Sequence, residues 1–302
     1  MSPQRSQLID DIRARSADMS AAKRAVGEFL AQNWKYAAFL NAARLAAEAG
    51  VSESVVVRFA KDLGYRGYPD LQDRIRDLVM EDMGILDLYR ETTEDRASSI
   101  DLRIHHSLEA DQTNLARSLE GMSAVAAEEA ARLLIDAREV VVLGSRTSRA
   151  PAAVAALYLN AVLANTRHLE NANSDIYDQL RRLDERDVVV AFILRHYNRD
   201  TVAQVAYARS RGARVITVTD SPQSPLVPNS DHVFYAHVES PSFYLSQVGV
   251  LGIVNALLLL VATLGDDDRQ GRNLAELEEI YDTFYYSKPL RRPAPSDEKP
   301  VL

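Results

Sequence analysis

The feature that most constrains this chain is a series of short, wholly apolar runs in its second half. Val140-Val-Val-Leu143, Val188-Val-Val-Ala-Phe192 and Val215-Ile-Thr-Val-Thr219 lack the alternation of a half-solvated strand. Asp231–Ala236 and Thr166–Glu170 are two further strand candidates. Helix-length segments separate them near 149–164, 175–182 and 200–211, and a long one spans about 244–264. Strands buried on both faces and joined by helices imply βαβ units. The expected fold is therefore a three-layer α/β/α doubly wound parallel sheet of about five strands.

The first 80 residues carry helical spacing instead, so a separate all-α N-terminal domain is expected. Leu8, Ile9 and Ile12 fall in a helix over 5–17; Ala22, Val26, Phe29 and Leu30 fall in one over 21–33, with Ser20 as its cap. Leu71, Ile75, Leu78 and Val79 continue a helix after Pro69, and Trp34 and Tyr36 are assigned to packing. Between them, Leu45–Leu63 reads as two short helices about a tight turn at Gly50, which can take the positive φ that ends a helix. Val51 plugs the corner, and Ser52 is placed to cap the second helix through the amide of Ser54 or Val55. Val56, Phe59, Ala60 and Leu63 form one stripe, which leaves Ser54, Arg58 and Lys61 on the opposite face. Such a face suits a major groove, as in a helix-turn-helix. Any small helix pair with solvated Arg58 and Lys61 has the same periodicity.

Charge bears on that choice. The net charge of −8 is unusual for a DNA binder, but it is uneven. Residues 1–80 hold 12 Lys and Arg against 10 Asp and Glu, a balance of +2, which leaves −10 for the rest. So weak a basic footprint needs two copies to grip DNA, and a homodimer or homotetramer is expected. The absence of cysteine excludes disulfides, thiolate metal sites and cysteine nucleophiles. Arg5, Asp10, Asp11 and Arg13 argue against a signal peptide. Val248–Leu264, interrupted by Asn255, is shorter than the ~20 residues of a membrane span. A cytoplasmic location with no membrane partner follows as the expectation.

Ligands of open parallel sheets sit outside the carboxyl ends of the strands. The first strand runs into Gly144-Ser145-Arg146-Thr147-Ser148-Arg149, where Ser148 is placed to cap the next helix and free amides would favour an anion. A plain strand-to-helix turn fits the same residues. Another strand ends in Arg195-His196-Tyr197-Asn198, adding positive charge and donors. His196 fits equally as a surface histidine. The candidate ligand residues are Gly144, Ser145, Arg146, Ser148, Arg195, His196 and Asn198. Ser224 and Pro225 shape the loop after the fourth strand. The pattern calls for no metal, cofactor or catalytic residue.

Two stretches carry a resemblance. Val51-Ser52-Glu53-Ser54, Val56 to Lys61 and Leu63-Gly-Tyr-Arg-Gly-Tyr-Pro-Asp-Leu71 resemble the N-terminal domain of RpiR-type transcriptional regulators. Val140–Arg149, Val188–Thr201 and Val215–Ser230 resemble the SIS (sugar isomerase) domain that follows it in that family. The expected domains are 1–80 and 108–286; between them charges dominate at 81–107, a helical or partly flexible connector, and Pro289, Pro293, Pro295 and Pro300 among charges mark a disordered tail at 287–302. The resemblance implies a phosphosugar-binding crevice whose occupancy alters the affinity of a dimer for DNA. The chain departs from the family pattern. A second glycine is usual where Arg146 stands, serines are usual at Ile193 and Arg195, and a glycine at His196. Arginine-bearing second loops are closer to this chain, so a carboxylate metabolite, a phosphosugar and no ligand all stay open.

The reading is a regulator of double-stranded operator DNA that senses a small anionic metabolite. Ser52, Ser54, Val55, Arg58, Lys61, Tyr65 and Arg66 are its candidate DNA contacts, with Arg58 and Ser54 foremost. The rivals are a sugar-phosphate isomerase using His168, Glu170 or His196, whose spacing assigns no acid–base pair, and a regulator whose second domain only dimerises.

Overall fold

The computed structural model describes residues 3–38, 40–82, 85–94, 99–169 and 175–284. The chain divides into two compact units, one of residues 1–106 with 241–244 and one of residues 107–240 with 245–302.

The first unit is all helical: α1 (Pro3–Ala17), α2 (Ala21–Ala37), α3 (Ala42–Glu48), α4 (Glu53–Asp62), α5 (Tyr68–Asp82) and α6 (Ile85–Glu94). Its core joins Ile12, Val26, Leu30 and Trp34 to Leu45, Val56, Phe59, Leu71 and Ile75. Trp34 packs there as expected, whereas Tyr36 is exposed. Ser20 precedes α2 without a capping side-chain bond, while Asn41, unexpected from sequence, caps α3 by accepting from the Arg44 amide at 2.9 Å. Two identical turns frame α4. Gly50 (φ +67°) and Gly64 (φ +96°) each sit just past a helix end. The following residues, Val51 and Tyr65, donate back to Ala46 O and Ala60 O and pack on the core. This closure satisfies the free carbonyls at both helix ends.

Tyr68 and Gln72 anchor α5 from inside. The Tyr68 hydroxyl lies 3.2 Å from Ala37 O and 2.8 Å from Leu40 O, and Gln72 Nε2 donates to Ala38 O and Leu40 O.

The unit boundary at His106 and Ser107 falls within α7 (Ile100–Glu120), and the rest of α7 and α8 (Ala124–Asp136) precede the sheet of the second unit. Within 81–107 the described residues include α6 and the start of α7. Strands β1 (Val140–Gly144), β2 (Thr166–Leu169), β3 (Val188–Ile193), β4 (Arg214–Thr219) and β5 (His232–Tyr235) pair in parallel in the order β2-β1-β3-β4-β5. Alternate residues serve opposite cores. Val140, Val142, Val188, Val190 and Phe192 meet α8, α9 (Arg149–Leu163) and α12 (Val248–Leu264). Val141, Leu143, Val189, Ala191 and Ile193 meet α10 (Ile176–Leu180) and α11 (Arg199–Ser210). That double burial is why the strands read as unbroken apolar runs. The chain reverses its winding between β1 and β3, and the carboxyl ends of these two strands are where open parallel sheets form a ligand crevice.

Helix α13 (Asp267–Phe284) is an addition to the sequence reading, held to the end of α9 by Asn273 donating to Val162 O at 2.7 Å. Among the described residues no single helix is long and apolar enough to cross a membrane. The tail at 287–302 lies outside the described residues.

Trp34 is the chain's single tryptophan, so its fluorescence follows the first unit. Tyr68→Phe is expected to lower that unit's stability by about 1 kcal/mol, the net worth of one buried hydrogen bond. Urea titration monitored at Trp34 checks this; an unchanged midpoint would remove the hydroxyl from the account of α5.

Candidate functional site

On α4 the inward side is fixed by Val56, Phe59 and Ala60, all buried. Ser54, Arg58 and Lys61 are exposed on the other side, as their spacing requires. Arg58 lies along its own helix, with Nε donating to Ser54 O at 3.1 Å and Nη2 to Ser54 Oγ at 3.2 Å. The capping expectation for Ser52 fails: it makes no side-chain cap bond, and its hydroxyl pairs with that of Ser54 at 3.0 Å. The residue sits at the N-cap position, but the neighbouring hydroxyl competes for its oxygen.

Two other members of the candidate set have structural duties. Val55 is half-buried against the core, and Tyr65 is the corner residue after Gly64. Burial pushes the Tyr65 phenol above its usual range, with Arg74 opposing. Arg66 is exposed and pairs with Asp70, its Nη2 at 3.1 Å from Oδ1. Sequence reasoning missed Arg15. Its guanidinium donates to Leu63 O at 2.8 Å and Asp62 O at 2.9 Å, placing a cation on the carbonyl end of α4.

At the carboxyl ends of the sheet the structure overturns the capping role of Ser148 and gives other candidate residues structural contacts. Gly144 serves close packing: a Cβ there would stand 2.4 Å from Ser148 O and 2.7 Å from Ala152 Cβ. Ser148 does not cap α9; it lies in a 3-10 turn, Arg146–Ser148, and is buried. Ser145 shares a 2.9 Å hydrogen bond with the Thr201 hydroxyl, which bridges the β1 loop to α11. Asn198 is occupied as the cap of α11, accepting from the Thr201 amide at 2.9 Å.

Arg195 is more deeply engaged than expected. Its Nε donates to Asp220 Oδ2 at 2.9 Å and its Nη2 to Glu239 Oε1 at 3.3 Å. The side chains of Arg195, Asp220 and Glu239 are 14%, 2% and 20% exposed. A cation so enclosed requires a carboxylate, and Asp220 supplies it from the end of β4. Beside it, burial raises the Tyr197 phenol, and the Asp220 charge adds to the shift. Nearby, Thr219 Oγ1 at the end of β4 and Ser224 Oγ in the loop after it are buried with no hydrogen-bond partner among the described residues.

Arg146 (φ +53°) and His196 (φ +68°) are both left-handed and exposed. The backbone therefore keeps a glycine conformation at two positions that carry side chains, which stores strain on both sides of the crevice. His168 lies on β2 and His196 beyond β3, and Glu170 falls outside the described residues. Among the described residues no group of three His, Cys, Asp or Glu has metal-binding geometry.

His196→Gly is expected to raise the stability of the second unit by about 1 kcal/mol through relief of that strain. Far-UV circular dichroism during thermal unfolding checks it, and a lowered midpoint would contradict it.

Comparison with known proteins gives this architecture a family. Residues 6–79 match the helix-turn-helix domain of the rpiR family, and residues 133–264 match the SIS domain. An HTH-type transcriptional regulator of Providencia stuartii is 27% identical over 228 residues, covering 73% of this chain and 74% of that protein. The sugar isomerase domain of an RpiR transcription factor from Sphaerobacter thermophilus is 31% identical, with TM-score 0.54, over 58% of this chain and 96% of that one. The Vibrio vulnificus NanR protein, solved with ManNAc-6P, shares the fold at 19% identity and TM-score 0.54, over 91% of this chain and 98% of its own. The chain belongs to the RpiR family of transcriptional regulators, a helix-turn-helix domain followed by a SIS domain.

Proposed function

We propose that this regulator reads operator DNA as a homodimer, with α4 in the major groove, and senses a small anionic metabolite at the β1/β3 crevice. One observation carries the DNA arm: α4 exposes Ser54, Arg58 and Lys61 in one row while Val56, Phe59 and Ala60 on its inward side are buried. Ser54 and Arg58 reach base edges, and Lys61 and Arg66 neutralise phosphates. In that role Arg58 exchanges its bonds to Ser54 for bonds to DNA. Val55 and Tyr65 act by supporting the helix.

A second copy is favoured by apolar side chains left exposed on α9 and on the two helices, α12 and α13, that each pack against it. Leu157 of α9, Leu259 of α12 and Leu274 of α13 are 66%, 64% and 46% exposed. An exposed apolar area of this kind is characteristic of an interface.

The effector arm is supported by Ser145, Arg146, Arg195 and His196 around the crevice and by the phosphorylated sugar bound to NanR. Ile193 carries no hydroxyl and packs in the core, so it offers a ligand no donor. Recognition then falls to arginine, which suits a carboxylate as well as a phosphate. Effector and DNA alter each other's affinity by one factor.

Arg58→Ala is expected to weaken operator binding by about 1–3 kcal/mol, the discrimination carried by one base contact. Fluorescence anisotropy against an operator fragment, with stoichiometry read at saturation, checks both points. Unchanged affinity would remove Arg58 from the interface, and one chain per operator would remove the dimer.

A further inference from the structure

The two carboxylates on Arg195 differ in standing. Asp220 follows directly from β4, is almost fully enclosed and makes the shorter bond. Glu239 is more exposed, makes the longer bond and lies on the irregular segment between β5 and α12. One carboxylate neutralises a guanidinium, and with both the trio carries a formal charge of −1. That is a poor welcome for an anion unless one acid leaves.

The backbone around Glu239 is gripped by α7. Asn114 Nδ2 donates to Glu239 O at 2.6 Å, and the Glu239 amide donates to Asn114 Oδ1 at 3.1 Å. One turn on, the His237 amide donates to Ser118 Oγ at 2.8 Å, and Ser246 Oγ donates to Asp111 Oδ1. Helix α12 also packs closely on α7 and on this segment. A Cβ on Gly249 would meet Ser118 Oγ at 2.4 Å and His237 O at 2.5 Å, and one on Gly252 would meet Leu115 at 2.4 Å. The bonds to Asn114 and Ser118 connect any shift of the segment directly to α7.

We propose that Glu239 is a resident stand-in for the anionic group of the effector. It holds one donor edge of Arg195 while the crevice is empty, and an incoming phosphate or carboxylate displaces it. This rests on reading the crevice as the effector site. Once displaced, Glu239 keeps its backbone bonds to Asn114 but loses its side-chain anchor, so occupancy is reported to α7. That helix starts at Ile100 and contains the boundary between the two units, at His106 and Ser107. Pro241–Tyr244, just beyond Glu239, group with the first unit.

The test uses the full-length protein and inorganic phosphate, titrated by thermal shift against chloride at equal ionic strength, with amide hydrogen exchange read over residues 107–120 and 236–240. Glu239→Gln is expected to bind phosphate roughly tenfold more tightly, the weight of one charged hydrogen bond. Without phosphate it is expected to show the faster exchange that the wild type shows only near saturation. Asn114→Ala, which leaves Arg195 untouched, should keep the wild-type phosphate affinity and lose the exchange response in α7. Wild-type affinity and exchange in Glu239→Gln would overturn the stand-in while leaving the crevice as an anion site. A retained response in Asn114→Ala would overturn the route through α7. Saturable phosphate binding by neither the wild type nor Glu239→Gln would overturn the crevice reading and the proposal together.

Discussion

A guanidinium that is 14% exposed cannot remain without an anion, and in this chain the nearest anions belong to the protein. Arg195 stands at the end of β3, Asp220 at the end of β4 and Glu239 beyond β5, so their mutual attraction ties three consecutive strand ends together. Removing the arginine would leave the Asp220 carboxylate buried and uncompensated, a loss of about 3 kcal/mol by the usual cost of breaking such a pair. The same contact sets the chemistry of the crevice. On the proposed reading a ligand there competes with internal carboxylates, and its affinity depends on how readily one of them gives way.

The front of the molecule is governed by a simpler economy of turns. Gly50 and Gly64 close the helices on either side of the turn with the same pair of backbone bonds, and Val51 and Tyr65 cover the corners. Arg15 holds the far end of α4 from another helix. With its ends and inner side fixed, α4 presents a rigid outer row, as direct readout of DNA requires.

Much of this could be read from the sequence where physics is local. Wholly buried strands announce themselves as valine-rich runs, and the stripe of Val56, Phe59, Ala60 and Leu63 defines α4 from spacing alone. The failures are equally physical. Ser52 and Ser148 have capping identities, but a neighbouring hydroxyl and a 3-10 turn take away the cap. The Arg195 partners lie 25 and 44 residues away, beyond any periodicity. A buried arginine at a strand end was nevertheless a signal to look for acids at neighbouring strand ends. Helix α13 also had a signal in Leu274, Leu277, Ile280, Tyr281 and Phe284, masked by the acidic residues around them. Arg146 and His196 show the opposite case, since the backbone keeps a shape that their side chains oppose.

The central claim is that the charge state of the crevice governs the grip on DNA, and it can be tested without knowing the effector. Operator affinity of the wild type and of Glu239→Gln is measured side by side by fluorescence anisotropy, with no ligand and at one salt concentration. The account predicts that the variant differs by about fivefold or more, the range of ordinary allosteric coupling. Equal affinities, in a variant whose phosphate binding has changed, would contradict it.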